Sequence, residues 1–123
     1  GLSYTTFNVG DAKISAKQMK KNGKVTLTIP VTNTGKREGA ETVQVYVKAL
    51  DDAGAPIKAL KGFQKLNLKA GDTQKATITL DGEAFEYYDE SIDELSTKAG
   101  RYQILYGTSS MDKDLKTIDF VVK

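Results

Sequence analysis

Apolar residues recur at every second position in five separate stretches of this 123-residue chain. Turn-forming residues separate those stretches, and no window carries a convincing helical stripe. Together these observations predict an all-β fold, an immunoglobulin-like sandwich of two antiparallel sheets with about seven to nine strands.

Each element has its own signal. Val25, Leu27, Ile29 and Val31 alternate with Thr26, Thr28, Pro30 and Thr32, and Val43, Val45 and Val47 alternate with Gln44, Tyr46 and Lys48. Ala76, Ile78 and Leu80 repeat the pattern, as do Tyr102, Ile104 and Tyr106, then Ile118, Phe120 and Val122. Successive side chains of a strand point to opposite faces, so each stretch has one face for a core and one for water. Glu90 to Leu95 offers at most one short turn.

Asn22-Gly23 is the strongest hairpin signal, because a type I′ turn needs positive φ at both central residues. With Lys21 and Lys24 as the flanking pair, Ala16 faces Ile29 and Gln18 faces Leu27. Continued outward, this register sets Ser15 against Pro30, which has no N–H to give. A bulge or divergence is therefore expected near Ser15, with the first strand leaving for the other sheet. Gly35 and Gly39 bracket Lys36-Arg37-Glu38 and are expected to supply turn geometry difficult for residues with a Cβ. Asp51 to Pro56 reads as a loop, Lys69-Ala70-Gly71-Asp72 as a tight turn and Asp81-Gly82 as another. Tyr102, at the start of a late strand, stands where a sandwich places a tyrosine corner, its hydroxyl bonded to upstream backbone; a partly buried core tyrosine is the plainer alternative.

The totals narrow the function classes. Hydrophobic residues are 39% and charged residues 28%, a globular balance sufficient for a single domain over residues 1–123. Eighteen basic and sixteen acidic side chains are interspersed to a net charge of +2, which argues against nucleic acid as partner. No apolar run is long enough for a membrane helix. Cysteine and histidine are both absent, which rules out a disulfide, a thiolate nucleophile, a histidine base and a structural zinc site. The opening Gly-Leu-Ser-Tyr, without an initiator methionine or signal peptide, reads as a fragment of something longer.

The candidate chemistry is thin. Acidic residues crowd from Glu83 to Glu94, but nothing in their spacing fixes two carboxyl groups across one glycosidic bond, and a solvated crossover is the better reading. Neither this run nor Asp112-Lys113-Asp114 has the ligand pattern of a calcium loop. Lys58, Lys61, Lys65 and Lys69 are nearly cancelled by acidic residues elsewhere and are read as serving solubility. Ser109-Ser110 has no histidine to activate it. Phe85, Tyr87, Tyr88 and Tyr46 could form a sugar-stacking platform, although adjacent strand residues face opposite ways, so only one of Tyr87 and Tyr88 can join it. An interface with another domain would use the same rings. On residue chemistry alone, no catalytic, cofactor or metal residue is assigned.

Four segments occur in a telling order: GLSYTTF, VTNTGKREGAETVQVYV, PIKALKGFQKLNLKAGD and YGTSS. Together they resemble the C-terminal fibronectin type III-like domain of glycoside hydrolase family 3 enzymes, the β-glucosidases and β-xylosidases, over essentially the whole chain. The family usually has glutamate at the position of Ala59, a Pro-Gly-Glu turn at Ala70-Gly71-Asp72, and a tryptophan-containing stretch at Asp93 to Lys98. Whatever that tryptophan contacts is therefore not carried over.

The resemblance implies a parent that hydrolyses terminal β-linked sugars with retention. Its nucleophilic aspartate would lie in a barrel domain and its acid/base glutamate usually in an α/β domain, both upstream. No residue of this chain matches either motif, so the chain is expected to be a non-catalytic accessory domain without cofactor. Its expected partner is the upstream catalytic part of the same polypeptide, in the periplasm or secreted; carbohydrate is a second candidate partner. The contact residues expected for that role are Arg37, Tyr46, Leu60, Lys61, Gly62 and Phe63. Arginine forks suit carboxylates, Gly62 permits close backbone approach and Phe63 is an anchor. A solvated tip for Arg37 and an internal core position for Phe63 are the rival readings. The rival functions are a carbohydrate-binding module and an adhesive or spacer Ig-like domain of a surface protein.

Overall fold

The computed structural model describes residues 6–52, 58–108 and 115–123. The readings of Gly1 to Thr5, Ser109-Ser110, Asp112-Lys113-Asp114 and most of the Asp51 to Pro56 loop lie outside them. Eleven strands are described: β1 Phe7–Val9, β2 Lys13–Ile14, β3 Gln18–Met19, β4 Lys24–Asn33, β5 Gly39–Ala49, β6 Ala59–Leu68, β7 Thr73–Asp81, β8 Glu86–Asp89, β9 Glu94–Thr97, β10 Gly100–Thr108 and β11 Lys116–Val122. A single turn of 3-10 helix, Gly82–Phe85, joins β7 to β8. No described helix is long and apolar enough to cross a membrane.

One sheet is built on β4, with β7 along one edge and the short β1 and β2 in succession along the other. The second runs β3-β11-β10-β5-β6, and β8 and β9 form a separate hairpin. The strand count exceeds the expected range because the first strand is broken into three pieces and the hairpin adds two. The alternating residues of β4, β5, β7 and β10 meet between the sheets: Leu27, Ile29, Val31, Val43, Val45 and Ile104 are fully buried. Phe120 closes the core from β11 and Phe85 from the 3-10 turn, their rings stacked with centroids 5.1 Å apart. The outward face of the β4 sheet is a threonine ladder, with Thr26 bonded to Thr79 and Thr32 to Thr73.

The edges of the sandwich are blunted by side chains. Gln64 of β6 accepts from the Thr77 N–H of β7 at 2.9 Å, and Gln74 donates to the Asn67 carbonyl at 2.8 Å. These bridges occupy backbone groups that a foreign strand would otherwise pair with.

The expected Asn22-Gly23 hairpin does not form. Gly23 donates to the Lys20 carbonyl, and neither Asn22 nor Gly23 has positive φ. The reason is topological: β3 pairs with β11 in the other sheet, so this bend links two layers rather than two paired strands. Ile14 faces Leu27, four residues out of the expected register. Strand exchange nevertheless occurs beside Ser15, which keeps both an N–H bond to the Thr26 carbonyl and a hydroxyl accepting from the Thr26 N–H. The segment before Ser15 stays with β4 and the segment after it leaves, the reverse of the expectation. Pro30 does interrupt the edge strand, but opposite Gly10, between β1 and β2.

Nor do Gly35 and Gly39 supply left-handed backbone; among the described glycines, positive φ falls at Gly71 and Gly100. Asn33 organises the corner instead. Its fully buried amide donates to the Leu68 carbonyl at 3.0 Å and the Arg37 carbonyl at 2.8 Å, and accepts from the Gly35 N–H at 2.9 Å. Its backbone exchanges bonds with the β6–β7 turn, taking the Gly71 N–H and giving to the Asp72 carbonyl. That turn is the tight one expected, with Gly71 at φ 81°.

Candidate functional site: an apolar docking face

Strands β5 and β6 set the geometry of the face. Val43, Val45 and Val47 point inward, so Gln44 and Tyr46 point outward, opposite Phe63 and Leu60. Between Val45 and Tyr46 the register slips, leaving Lys61 as the extra residue of a bulge. The bulge lets Leu60 and Phe63, three apart in sequence, share the outer face. Phe63 is 69% exposed and Leu60 48%, large values for such apolar side chains. Phe63 is thus not an internal core residue.

Gly62 does something different from its neighbours. It faces inward, and a Cβ there would lie 2.6 Å from Cγ2 of Ile78. The close approach it permits is between β6 and β7 inside the sandwich. Tyr46 is half-buried, its hydroxyl donating to Gln44 at 2.9 Å and its ring capped by the Lys58 ammonium 4.7 Å from the centroid. Lys61 turns toward the hairpin, its ammonium 3.4 Å from the Glu86 carbonyl. Arg37 is exposed at the corner before Gly39, which pairs with Leu68; five residue steps separate that corner from Phe63, about 17 Å. The structure therefore brings Tyr46, Leu60 and Phe63 together and leaves Arg37 apart.

At the other end, Tyr102 crosses the core from β10. Its hydroxyl donates to the Lys98 carbonyl at 2.5 Å, with the Phe85 carbonyl 3.4 Å away, and its ring meets Phe85 edge-on at 5.0 Å. A surface network surrounds it. Tyr87 donates to Asp52 at 2.9 Å, and Lys98 bridges Asp52 and Asp89 at 3.4 and 3.2 Å and covers the Tyr87 ring. Arg101 engages Asp51 through its backbone N–H and guanidinium.

Burial raises Tyr102 to about 12; Tyr87 reaches about 12 through burial and then its bond to Asp52. Hydrogen bonds from Arg101 lower Asp51, and those from Ser91 and then Lys98 lower Asp89. Raised tyrosines favour the folded state fully below their ordinary value of 10.0 and lose that contribution as pH rises toward about 12. The lowered carboxylates contribute above their ordinary value of 3.8 and lose it as pH falls through the lower folded values. The thermal midpoint should therefore decline steadily once pH passes 10.0, the ordinary tyrosine value. Tyr102→Phe should cost about 1–2 kcal/mol at neutral pH, the worth of a buried hydrogen bond, and flatten that alkaline decline. Melting curves at stepped pH check both; an unchanged alkaline slope in Tyr102→Phe would contradict the assignment.

Between the β5–β6 end and the β8–β9 hairpin lies an open apolar cleft of about 310 Å³, lined by Val47, Ala59, Lys61, Phe85, Tyr88 and Leu95 among others. Sequence reasoning missed it, having taken Glu83 to Glu94 as a plain crossover; the alternation of Glu86 to Asp89 is too short to stand out. Tyr87 and Tyr88 do face different ways, Tyr87 toward Asp52 and Tyr88 outward to Asp93. Among the described residues, no group of three or more His, Cys, Asp or Glu side chains could hold a metal ion.

The fibronectin type III-like domain model matches residues 41–110, from within β5 to two residues past β10. The chain belongs to the fibronectin type III-like family. A xylan 1,4-β-xylosidase of Xylanibacter ruminicola is 48% identical over 96% of this chain but only 14% of its own length. A periplasmic β-glucosidase of Salmonella typhimurium is 39% identical over 89% of this chain and 14% of its own. A solved GH3 β-glucosidase of Bifidobacterium adolescentis superposes with TM-score 0.81 at 38% identity, over 99% of this chain and 18% of its own. This fibronectin type III-like chain thus corresponds to a small part of much longer glycosidases.

Proposed function

We propose that the chain is the C-terminal, non-catalytic accessory domain of a family 3 glycoside hydrolase. The parent would remove terminal β-linked sugars with retention, using catalytic groups in upstream domains. One observation carries this reading: nearly the whole chain aligns with about one-seventh of a β-xylosidase and of a β-glucosidase. The exposed Leu60 and Phe63 support a packing role, since such an apolar pair on one strand gains by burial against another domain. A periplasmic or secreted setting is supported by the relative named as periplasmic.

The test is to read the complete reading frame and express its product with and without residues 1–123. The expected result is a β-glycosidase whose activity decays faster on warming once these residues are removed. A frame with no glycosidase, or an enzyme indifferent to the deletion, would overturn the reading.

A further inference from the structure

Among the described residues, the exposed large apolar side chains fall on one side. Leu50, Leu60, Phe63, Tyr88, Ile92 and Leu95 are each at least 41% exposed. All six lie on β5, β6 or the β8–β9 hairpin or directly beside them, and none on the β4 sheet with its threonine ladder. Leu95 and Tyr88 stand at the cleft described above, and Leu60 lines an adjoining depression that shares Lys61 and Ala84 with it. Leu60 on the outer face of β6 thus adjoins the apolar cleft through a depression whose other walls, Thr79, Asp81 and Glu83, are polar. The segment that walls the cleft on the hairpin side is acidic, while Lys61 and Lys98 stand at its other borders. Residues 81 to 94 contain seven carboxylates and no lysine or arginine, in a chain whose net charge is +2.

We infer that the cleft between β6 and the β8–β9 hairpin is a socket for one protruding apolar side chain, flanked by lysine or arginine, on the remaining part of the same polypeptide. Apolar walls and a volume of about 310 Å³ suit a leucine- or phenylalanine-sized knob. The acidic hairpin selects basic neighbours around it. A partner in the same polypeptide is favoured because the relatives carry this domain as 14% of their length. The inference rests on the accessory-domain reading and adds a second contact to the Leu60–Phe63 face.

Because the chain has no cysteine, one introduced thiol in it reports its own exposure. Leu95→Cys, Phe63→Cys and Lys75→Cys are made in the complete polypeptide, and alkylation rates are read peptide by peptide; Lys75, exposed on β7, is the open control. Leu95→Cys is expected to react at least tenfold more slowly than Lys75→Cys, and adding Glu90→Lys and Glu94→Lys to it should remove most of that protection. Should Leu95→Cys impair folding, as judged by lost glycosidase activity, Tyr88→Cys on the same cleft wall takes its place. A fast Leu95→Cys beside a protected Phe63→Cys overturns the socket and leaves the accessory reading intact. Two fast thiols overturn both. Protection that disappears on dilution identifies a second copy as the occupant and overturns the socket as drawn.

Discussion

Asn33→Ala is expected to lower stability by about 2–4 kcal/mol, because three backbone groups at the corner lose their side-chain partner at once. The Leu68 carbonyl, the Arg37 carbonyl and the Gly35 N–H all bond to this one amide, and only the partly exposed ones can turn to water. Asn33→Asp should be at least as damaging at neutral pH. A carboxylate there keeps the Gly35 bond but faces two carbonyl oxygens with no proton to give, inside a fully buried site. Acid should relieve part of the Asp variant's deficit and none of the Ala variant's. Denaturant titrations at neutral and acidic pH separate the two, and a loss below about 1 kcal/mol for Asn33→Ala would show that the corner is held by other bonds.

The second large effect is expected at Phe85. Its ring is 1% exposed, stacked on Phe120 and edge-on to Tyr102, and it holds the 3-10 turn and the following hairpin to the sandwich. Phe85→Ala should cost about 3–5 kcal/mol, the range for emptying a buried aromatic site. That corresponds to a fall of about 10–20 °C in the thermal midpoint of a domain this size. Phe63→Ala is the matched contrast: the same chemical truncation on a ring that is 69% exposed should stay within about 0.5 kcal/mol of the parent chain. Equal losses at the two positions would contradict the division between core ring and exposed ring.

The legible part of the fold was the part governed by period two. The alternating residues of β4, β5, β7 and β10 all face the core as read, because a one-residue slip would have exposed a whole face. Local turn chemistry was less reliable. Gly71 takes the positive φ its turn suggests, whereas Asn22-Gly23 does not, since β3 and β4 join different sheets and tertiary pairing decides the backbone there. The corner at VTNTG drew attention to its glycines, yet the buried asparagine holds it; a polar residue ending an apolar alternation was the available signal.

The residues proposed for docking were legible only in part. Leu60 and Phe63 emerge on one face through a bulge at Lys61 that no spacing rule announces, and the same bulge turns Gly62 inward against Ile78. The cleft could not be read at all, because its walls come from β5, β6, the 3-10 turn and the hairpin, brought together by the fold.

On the reading proposed above, this domain stabilises an enzyme through its β5–β6 side. The most direct measurement is the thermal-inactivation half-life of the complete polypeptide carrying Leu60→Asp with Phe63→Asp, beside a remote pair on the opposite sheet. Because Thr79 borders Leu60, Lys75→Asp with Thr77→Asp serves as that remote pair. The first pair should shorten the half-life at least tenfold, about 1.4 kcal/mol or more, and leave kcat/KM at low temperature within about twofold. The remote pair should change neither. Equal half-lives for the two variants would contradict the account.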